Sequence, residues 1–378
     1  MLRLHVSNFK SIRRRLQLDL SPLTILLGPP GGGKSNILDA IALAGYVNRI
    51  SLLDKEYGNS GANLENPRFI ARFEQHSHLF SYHTLTKNIK IALSNTDVEL
   101  SMELYYEGGK IHIKINDVPI PWDIVSLPSN PMDNVRNALK KAEEKHPLIG
   151  ARLYSYDRYD EIQKFYQYLK NVGVRNFPQN ILSELGWNVT KITPTFFDVI
   201  VELNESLQES LEEKIEIKRL RTGAIIVFDY HEEVDPFSFS DSLFRILYYT
   251  LALKSTTNYV KLYGLEKRFI VLLEEPESHI FPFLLDFLAK YIGQLVNMAY
   301  VIITTHNPLF VSVLWDRLKG VKTYYVHRDS KGITVADELD IDKLTKDITL
   351  PEEIMRMPTS EVVRKYSKKK TSIVEKKG

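Results

Sequence analysis

Leu2–Val6 and Leu16–Leu20 alternate apolar with polar residues, so each predicts a strand with one buried face, and Asn8–Arg15 reads as the turn between them. Leu23–Leu27 abandons the alternation for an almost unbroken apolar run, the pattern of a parallel strand covered on both faces. Beyond it, Ile37, Leu38, Ile41 and Ala44 recur at helical spacing, with Gly45 as the expected stop. Gly58–Pro67 is loop-like. Thr84–Ser94, Val98–Glu107 and Lys110–Asn116 read as antiparallel strands, with Gly108-Gly109 as a hairpin turn. Helical spacing then dominates from Pro121 to Lys214, notably over Asn134–Lys145, Tyr159–Lys170 and Phe196–Leu211, interrupted by a short strand at Arg152–Tyr156. Ile215–Arg219 and Ala224–Asp229 predict a second hairpin around Thr222-Gly223. A helix over Leu243–Leu253 and two wholly apolar strands, Phe269–Leu273 and Tyr300–Ile303, complete the pattern. Buried strands alternating with helices imply a parallel α/β sheet, whose ligands bind at the carboxyl ends of the strands.

With 378 residues, 44% of them hydrophobic and 25% charged, the chain has the composition of a folded protein of two lobes or one elaborated domain. A net charge of +2 sets up no strong overall field, so any nucleic-acid footprint must be local. Arg13-Arg14-Arg15 and the basic tail (Arg364, Lys365, Lys368 to Lys370, Lys376 and Lys377) are the candidates, and surface solvation accounts for them equally well. The absence of cysteine excludes disulfides, thiolate metal sites and thiol nucleophiles, and fits a reducing interior. Met1 leads directly into a strand pattern instead of a signal peptide, and no run of about 18 apolar residues appears. A cytoplasmic protein without a membrane span is the expectation.

The residues that end the buried strands carry the chemistry. Gly28-Pro29-Pro30-Gly31-Gly32-Gly33-Lys34-Ser35 matches G-x-x-x-x-G-K-S between a buried strand and a helix. Small residues let the backbone N–H groups of the loop and of the following helix, where Asn36 lies, point at phosphate oxygens. Lys34 would reach the β- and γ-phosphates and Ser35 would ligate Mg²⁺, which makes ATP and Mg²⁺ the expected ligands. Phe269–Leu273 runs into the adjacent carboxylates Glu274 and Glu275, which repel one another unless a cation or a reaction justifies them. In a P-loop protein, Glu274 would hold the Mg²⁺ hydration shell and Glu275 would polarise the attacking water. The third apolar strand ends in Thr304-Thr305-His306, and a histidine there can bond a γ-phosphate oxygen.

The order of Asn8-Phe9-Lys10-Ser11, the Gly28–Asp39 stretch, Glu274-Glu275-Pro276-Glu277 and Thr305-His306-Asn307-Pro308 resembles ABC-type ATPases of the SMC, RecF and OLD group. Within that group it is most similar to the short AAA-like ATPases. The resemblance covers roughly the first 45 residues and the stretch from about 235 to 330. It implies an α/β P-loop NTPase of ABC ATPase type with an antiparallel β subdomain and an inserted helical lobe. Residues 1–120 would hold the P-loop and β subdomain, 121–235 the helical lobe, 236–330 the signature, two-carboxylate strand and histidine, and 331–378 a C-terminal extension.

The same resemblance implies a head-to-tail homodimer, each ATP lying between one P-loop and the signature helix of the other copy. Ser240, Asp241 and Ser242 occupy the signature position, although the family prefers glycine where Ser242 stands. Pro30 replaces the family's asparagine, Glu274 its usual aspartate, and no glutamine clearly fills the expected place near the lobe; Gln163 is a guess. The resemblance points to DNA maintenance or defence against mobile elements, with DNA binding left open and a separate effector protein as a partner. No intrinsic nuclease is expected, since Asp337, Asp340 and Asp342 read as surface. A transporter ATPase subunit, or a nucleotide switch with very slow hydrolysis, are the alternatives.

Overall fold

The computed structural model describes residues 1–57, 71–96, 99–121, 132–145, 150–154, 194–210, 215–219, 225–229, 232–234, 240–347 and 352–368. The predicted helix Tyr159–Lys170, the Gly58–Pro67 loop, Gln163, the Thr222-Gly223 turn and the end of the basic tail lie outside the described residues. The strands are β1 (Leu2–Ser7), β2 (Leu16–Leu20), β3 (Leu23–Leu27), β4 (Ile89–Ser94), β5 (Glu99–Glu107), β6 (Lys110–Ile115), β7 (Val118–Ile120), β8 (Gly150–Tyr154), β9 (Ile215–Arg219), β10 (Ile225–Asp229), β11 (Glu232–Val234), β12 (Phe269–Glu274), β13 (Tyr300–Thr305), β14 (Lys322–Arg328) and β15 (Thr334–Glu338). The helices are α1 (Lys34–Tyr57), α2 (Met132–Lys145), α3 (Pro194–Ser210), α4 (Asp241–Tyr263), α5 (Leu284–Val296), α6 (Pro308–Arg317), α7 (Ile341–Asp347), α8 (Glu352–Arg356) and α9 (Thr359–Tyr366). No helix among the described residues is long and apolar enough to cross a membrane.

The chain divides into two compact units. The first comprises Met1–Leu153, Arg268–Leu272 and Tyr300–Gly378. It holds an antiparallel sheet in the order β2-β1-β4-β5-β6-β7 and a second sheet in the order β15-β14-β3-β13-β12-β8. Strands β1, β2, β4 and β6 alternate buried with exposed or half-buried residues, as one-sided strands must, whereas β3 and β13 are buried at every position. Between these layers an apolar core gathers Leu2, Leu4 and Val6 from β1, Ile37, Leu38 and Ile41 from α1, and Ile270 and Leu272 from β12. Helix α2 packs on β7 and α1.

Three features of this unit depart from the sequence pattern. Helix α1 continues through Gly45 to Tyr57. One helical glycine costs only about 1 kcal/mol, and neither proline nor a capping signal follows to end the helix there. Strands β14 and β15, which the periodicity did not single out, extend the main sheet: β14 runs parallel to β3 and pairs antiparallel with β15. Asp337, expected at the surface, is 5% exposed because His327 of β14 takes its carboxylate at 2.9 Å.

The second unit comprises Tyr154–Lys267 and Leu273–Ala299. Its three-stranded sheet, ordered β11-β10-β9, enlarges the expected hairpin by one strand. Helix α4 packs on α3 and α5. Gly264, at φ 60, ends α4 as a left-handed cap whose N–H reaches back to the carbonyls of Lys261 and Val260.

Candidate phosphate-binding site

In the first unit, strand register brings the P-loop and two neighbouring strands together. Leu27 pairs with Thr305 on one side and with Tyr325 on the other, so His306 and Val326 flank Gly28 where the loop leaves the sheet. The loop then bends through backbone conformations open to glycine: Gly28 has φ 144, Gly31 φ 72 and Gly33 φ 106. Neighbouring chain excludes side chains at two of them as well. A Cβ on Gly28 would stand 2.2 Å from the Val326 carbonyl oxygen, and one on Gly33 would stand 2.2 Å from Thr334 Oγ1. A Cβ on Gly32 would be similarly confined, 2.5 Å from the same Val326 oxygen.

Pro30, the departure that removes a donor, has a structural reason. The Gly32 N–H bonds the Pro29 carbonyl at 3.2 Å, closing a turn with Pro30 at its second position and Gly31, at positive φ, at its third. Proline presets the backbone at that second position, and glycine supplies the positive φ that follows in a type II turn. Both residues are exposed at the tip of the loop. Arg328 of β14 braces the tip, its Nε donating to the Gly31 carbonyl at 2.9 Å.

Lys34 is buried at 6% exposure, and its Nζ donates to the carbonyls of Gly28 at 2.7 Å and Pro29 at 3.1 Å. Ser35 and Asn36 are half-buried in the first turn of α1. Asn36 Nδ2 donates to Ser11 Oγ at 2.6 Å, and Ser11 Oγ lies 2.7 Å from Thr334 Oγ1, which in turn donates to the Gly32 carbonyl at 3.2 Å. The Asn8–Ile12 turn is thereby fixed against the end of the loop. A second tie comes from Lys10, whose ammonium bonds the Asp39 carboxylate of α1 at 2.6 Å. Arg72 grips the same fully buried carboxylate, with Nη2 at 2.9 Å.

His306 is exposed. Thr305 Oγ1 accepts the Asn307 N–H at 2.9 Å, and Asn307 caps α6 by accepting the N–H groups of Leu309 and Phe310. Beside the loop, His327 holds its imidazole between Asp337 through Nε2 and the Arg328 carbonyl through Nδ1. The Asp337 bond raises its pKa above the usual histidine value, against the opposing effect of burial.

The remaining site residues fall in the second unit. Glu274 closes β12, its carbonyl accepting the Tyr249 hydroxyl at 3.3 Å. Glu275 follows at φ 43, a left-handed conformation rare for a residue with a side chain. Ser240 precedes α4 without a side-chain capping bond, Asp241 pairs with Arg245 at 2.8 Å, and Ser242 Oγ accepts the Phe281 N–H at 2.7 Å. The Ser242 hydroxyl thereby ties the start of α4 to the turn after Glu275.

The sequence profile of the AAA domain family matches residues 3–268, well over half of the chain. The chain belongs to that AAA domain family. Its fold is that of an ABC-type P-loop ATPase head. A solved SMC head bound to the C-winged helix domain of ScpA matches with a TM-score of 0.54 at 14% identity, over 91% of this chain and 98% of that one. A Pyrococcus furiosus SMC head with an extended coiled coil, bound to the C-terminal domain of ScpA, scores 0.49 at 14% identity, over 94% of this chain and 100% of that one. The recombination mediator RecF scores 0.41 at 13% identity, with 89% and 98% covered. No curated protein matches the sequence. In this AAA domain protein the profile spans the phosphate loop and ends one residue before β12, so Glu274 and Glu275 lie beyond it. Val326, Arg328 and Thr334, which shape and brace the loop, also lie beyond it. Their one sequence signal is the β-branched and aromatic run Thr323-Tyr324-Tyr325-Val326.

Proposed function

We propose that this protein binds and hydrolyses ATP as an ABC-type ATPase that closes into a homodimer around the nucleotide. The observation carrying this reading is the loop itself: glycines confined by Val326 and Thr334, a braced tip, and a buried lysine folded back on the loop's own carbonyls. Such a wrap turns backbone N–H groups toward one concavity, which suits a polyanion and little else. Gly28 to Asn36 hold the phosphates, with Lys34 exchanging its carbonyl partners for phosphate oxygens.

Hard oxygen donors suit Mg²⁺, which takes one or two protein oxygens and completes its shell with phosphate and water. Ser35 and Glu274 are those donors. When bound, the ion neutralises charge on the phosphates. Glu275 orients and deprotonates the attacking water, and its left-handed backbone fits a residue whose aim is set by function. His306, set beside Gly28 by the β13 register, bonds the γ-phosphate. Ser240, Asp241 and Ser242, with the N-terminus of α4, complete the site from the second copy. The shared head fold supports a setting in DNA maintenance or defence against mobile elements, with a separate effector protein. A salt-sensitive shift of duplex DNA in the presence of ATP tests that setting.

Sedimentation of Glu275→Gln with and without ATP and Mg²⁺ tests the dimer: mass should double with nucleotide, and Lys34→Ala, which cannot hold ATP, should stay monomeric. A Glu275→Gln protein that binds ATP and remains monomeric contradicts the reading.

A further inference from the structure

A phosphate loop grips its anion with backbone N–H groups, and each N–H shares a planar peptide with the carbonyl of the residue before it. In a trans peptide the two point in opposite directions, so N–H groups turn inward only where carbonyls turn outward. The planes joining Gly31, Gly32 and Gly33 are the easiest to turn over, because none of these residues has a Cβ to resist the rotation. A flip of either plane would aim a carbonyl oxygen at the phosphates.

The β14–β15 hairpin holds both planes. Arg328 Nε donates to the Gly31 carbonyl at 2.9 Å, and Thr334 Oγ1 donates to the Gly32 carbonyl at 3.2 Å. The two donors are partners across the hairpin, Arg328 of β14 opposite Thr334 of β15, so one ladder sets both. Each is fixed in turn. Arg328 Nη1 donates to the Gly332 carbonyl at 2.7 Å, in the turn of the hairpin. Thr334 is 4% exposed, its N–H bonds the Ser11 carbonyl at 3.2 Å, and Ser11 Oγ lies 2.7 Å from its hydroxyl. With Asn36 Nδ2 donating to Ser11 Oγ at 2.6 Å and one proton on each hydroxyl, the donors run one way, from Asn36 through Ser11 and Thr334 to the Gly32 carbonyl. The Gly32 N–H, whose carbonyl partner Arg328 holds, meets Lys34 Nζ at a common acceptor: both bond the Pro29 carbonyl, at 3.2 and 3.1 Å. An oxygen thus already stands where two phosphate donors converge.

We infer that Arg328 and Thr334 are positioning residues of the phosphate site. From the hairpin they keep two successive glycine peptides facing one way, so that the Gly32 and Gly33 N–H groups stay turned toward the phosphates. Lys34 gives up its carbonyl partners when the anion arrives, whereas Arg328 and Thr334 keep theirs. Neither side chain touches the nucleotide; both act through the backbone of the loop.

The inference rests on nucleotide binding at the P-loop, and the arms of one titration separate the two. Calorimetry with ATP and Mg²⁺, and with inorganic tripolyphosphate, would give dissociation constants and site numbers for wild type, Arg328→Ala, Arg328→Lys, Thr334→Val, Thr334→Ser and Lys34→Ala. Arg328→Ala should weaken both ligands by about tenfold or more, as loss of a hydrogen bond from a charged donor does, and Thr334→Val by about fivefold. Thr334→Ser, which keeps the hydroxyl, should bind within about twofold of wild type. Arg328→Lys keeps the charge without the planar fork that reaches Gly31 and Gly332 together, so it should recover little. Site numbers should stay at the wild-type value, because misfolding removes sites whereas a turned peptide weakens every one. Wild-type affinity in Arg328→Ala or Thr334→Val, full recovery by Arg328→Lys, a loss for ATP alone, or fewer sites at unchanged affinity overturns the inference. Wild type that binds neither ligand, or Lys34→Ala that binds as tightly as wild type, overturns the P-loop reading beneath it.

Discussion

Substituting alanine for Gly28 tests whether β14 truly walls the phosphate loop. At φ 144 the residue occupies a conformation that costs a side-chain-bearing residue about 1–3 kcal/mol. The added methyl would also lie 2.2 Å from the Val326 carbonyl oxygen, where real contacts are no closer than 3.0 Å, so either β14 or the loop must retreat. Overpacking of that kind adds about 1–3 kcal/mol. Together they predict a loss of about 2–6 kcal/mol for Gly28→Ala. Gly31→Ala is the internal control, because its methyl meets nothing within 4 Å and only the positive φ of 72 opposes it. That costs roughly 1 kcal/mol. Urea unfolding followed by circular dichroism would give both numbers on one scale. If the two variants lose the same stability, Val326 does not confine Gly28 and the described wall is wrong.

Two further outcomes follow from buried charges. Asp39 is fully buried between Lys10 and Arg72, so Asp39→Asn leaves two cations facing an amide; it should cost about 2–4 kcal/mol in the same unfolding assay, tempered by Arg72's access to water. His327 has a raised pKa in the folded protein, so its charged pairing with Asp337 contributes fully below the unfolded value near 6.5 and fades as pH climbs through the folded value. The urea midpoint of wild type should therefore fall between pH 6 and pH 8 by more than that of His327→Gln; parallel curves would remove the pair from the account.

What the sequence made legible was what local pattern controls. Leu23–Leu27 and Tyr300–Ile303 are apolar at nearly every position because both faces of their sheet are covered, and the structure buries them throughout. The glycine motif was equally plain, since its spacing follows from backbone geometry at single residues. Strands β14 and β15 were hidden because their burial is created by pairing, β14 with β3 and β15 with β14, and their polar members find partners across the fold: His327 with Asp337, and Tyr324 with the carbonyl of Asp19. The meaning of Pro30 and Ser242 was hidden for a related reason. A sequence shows that a residue is unusual, whereas the Arg328 guanidinium that braces the tip of the Pro30 turn and the Phe281 N–H that Ser242 receives arrive only once distant segments meet.

The central proposal is that the chain hydrolyses ATP and that Glu275 serves as the base of that reaction. Steady-state release of phosphate from ATP, with Mg²⁺ present, tests it most directly in wild type beside Glu275→Gln. The account predicts measurable turnover in wild type and a loss of about 100-fold or more in Glu275→Gln, with ATP affinity retained. Glu275→Gln that hydrolyses ATP at the wild-type rate would contradict it.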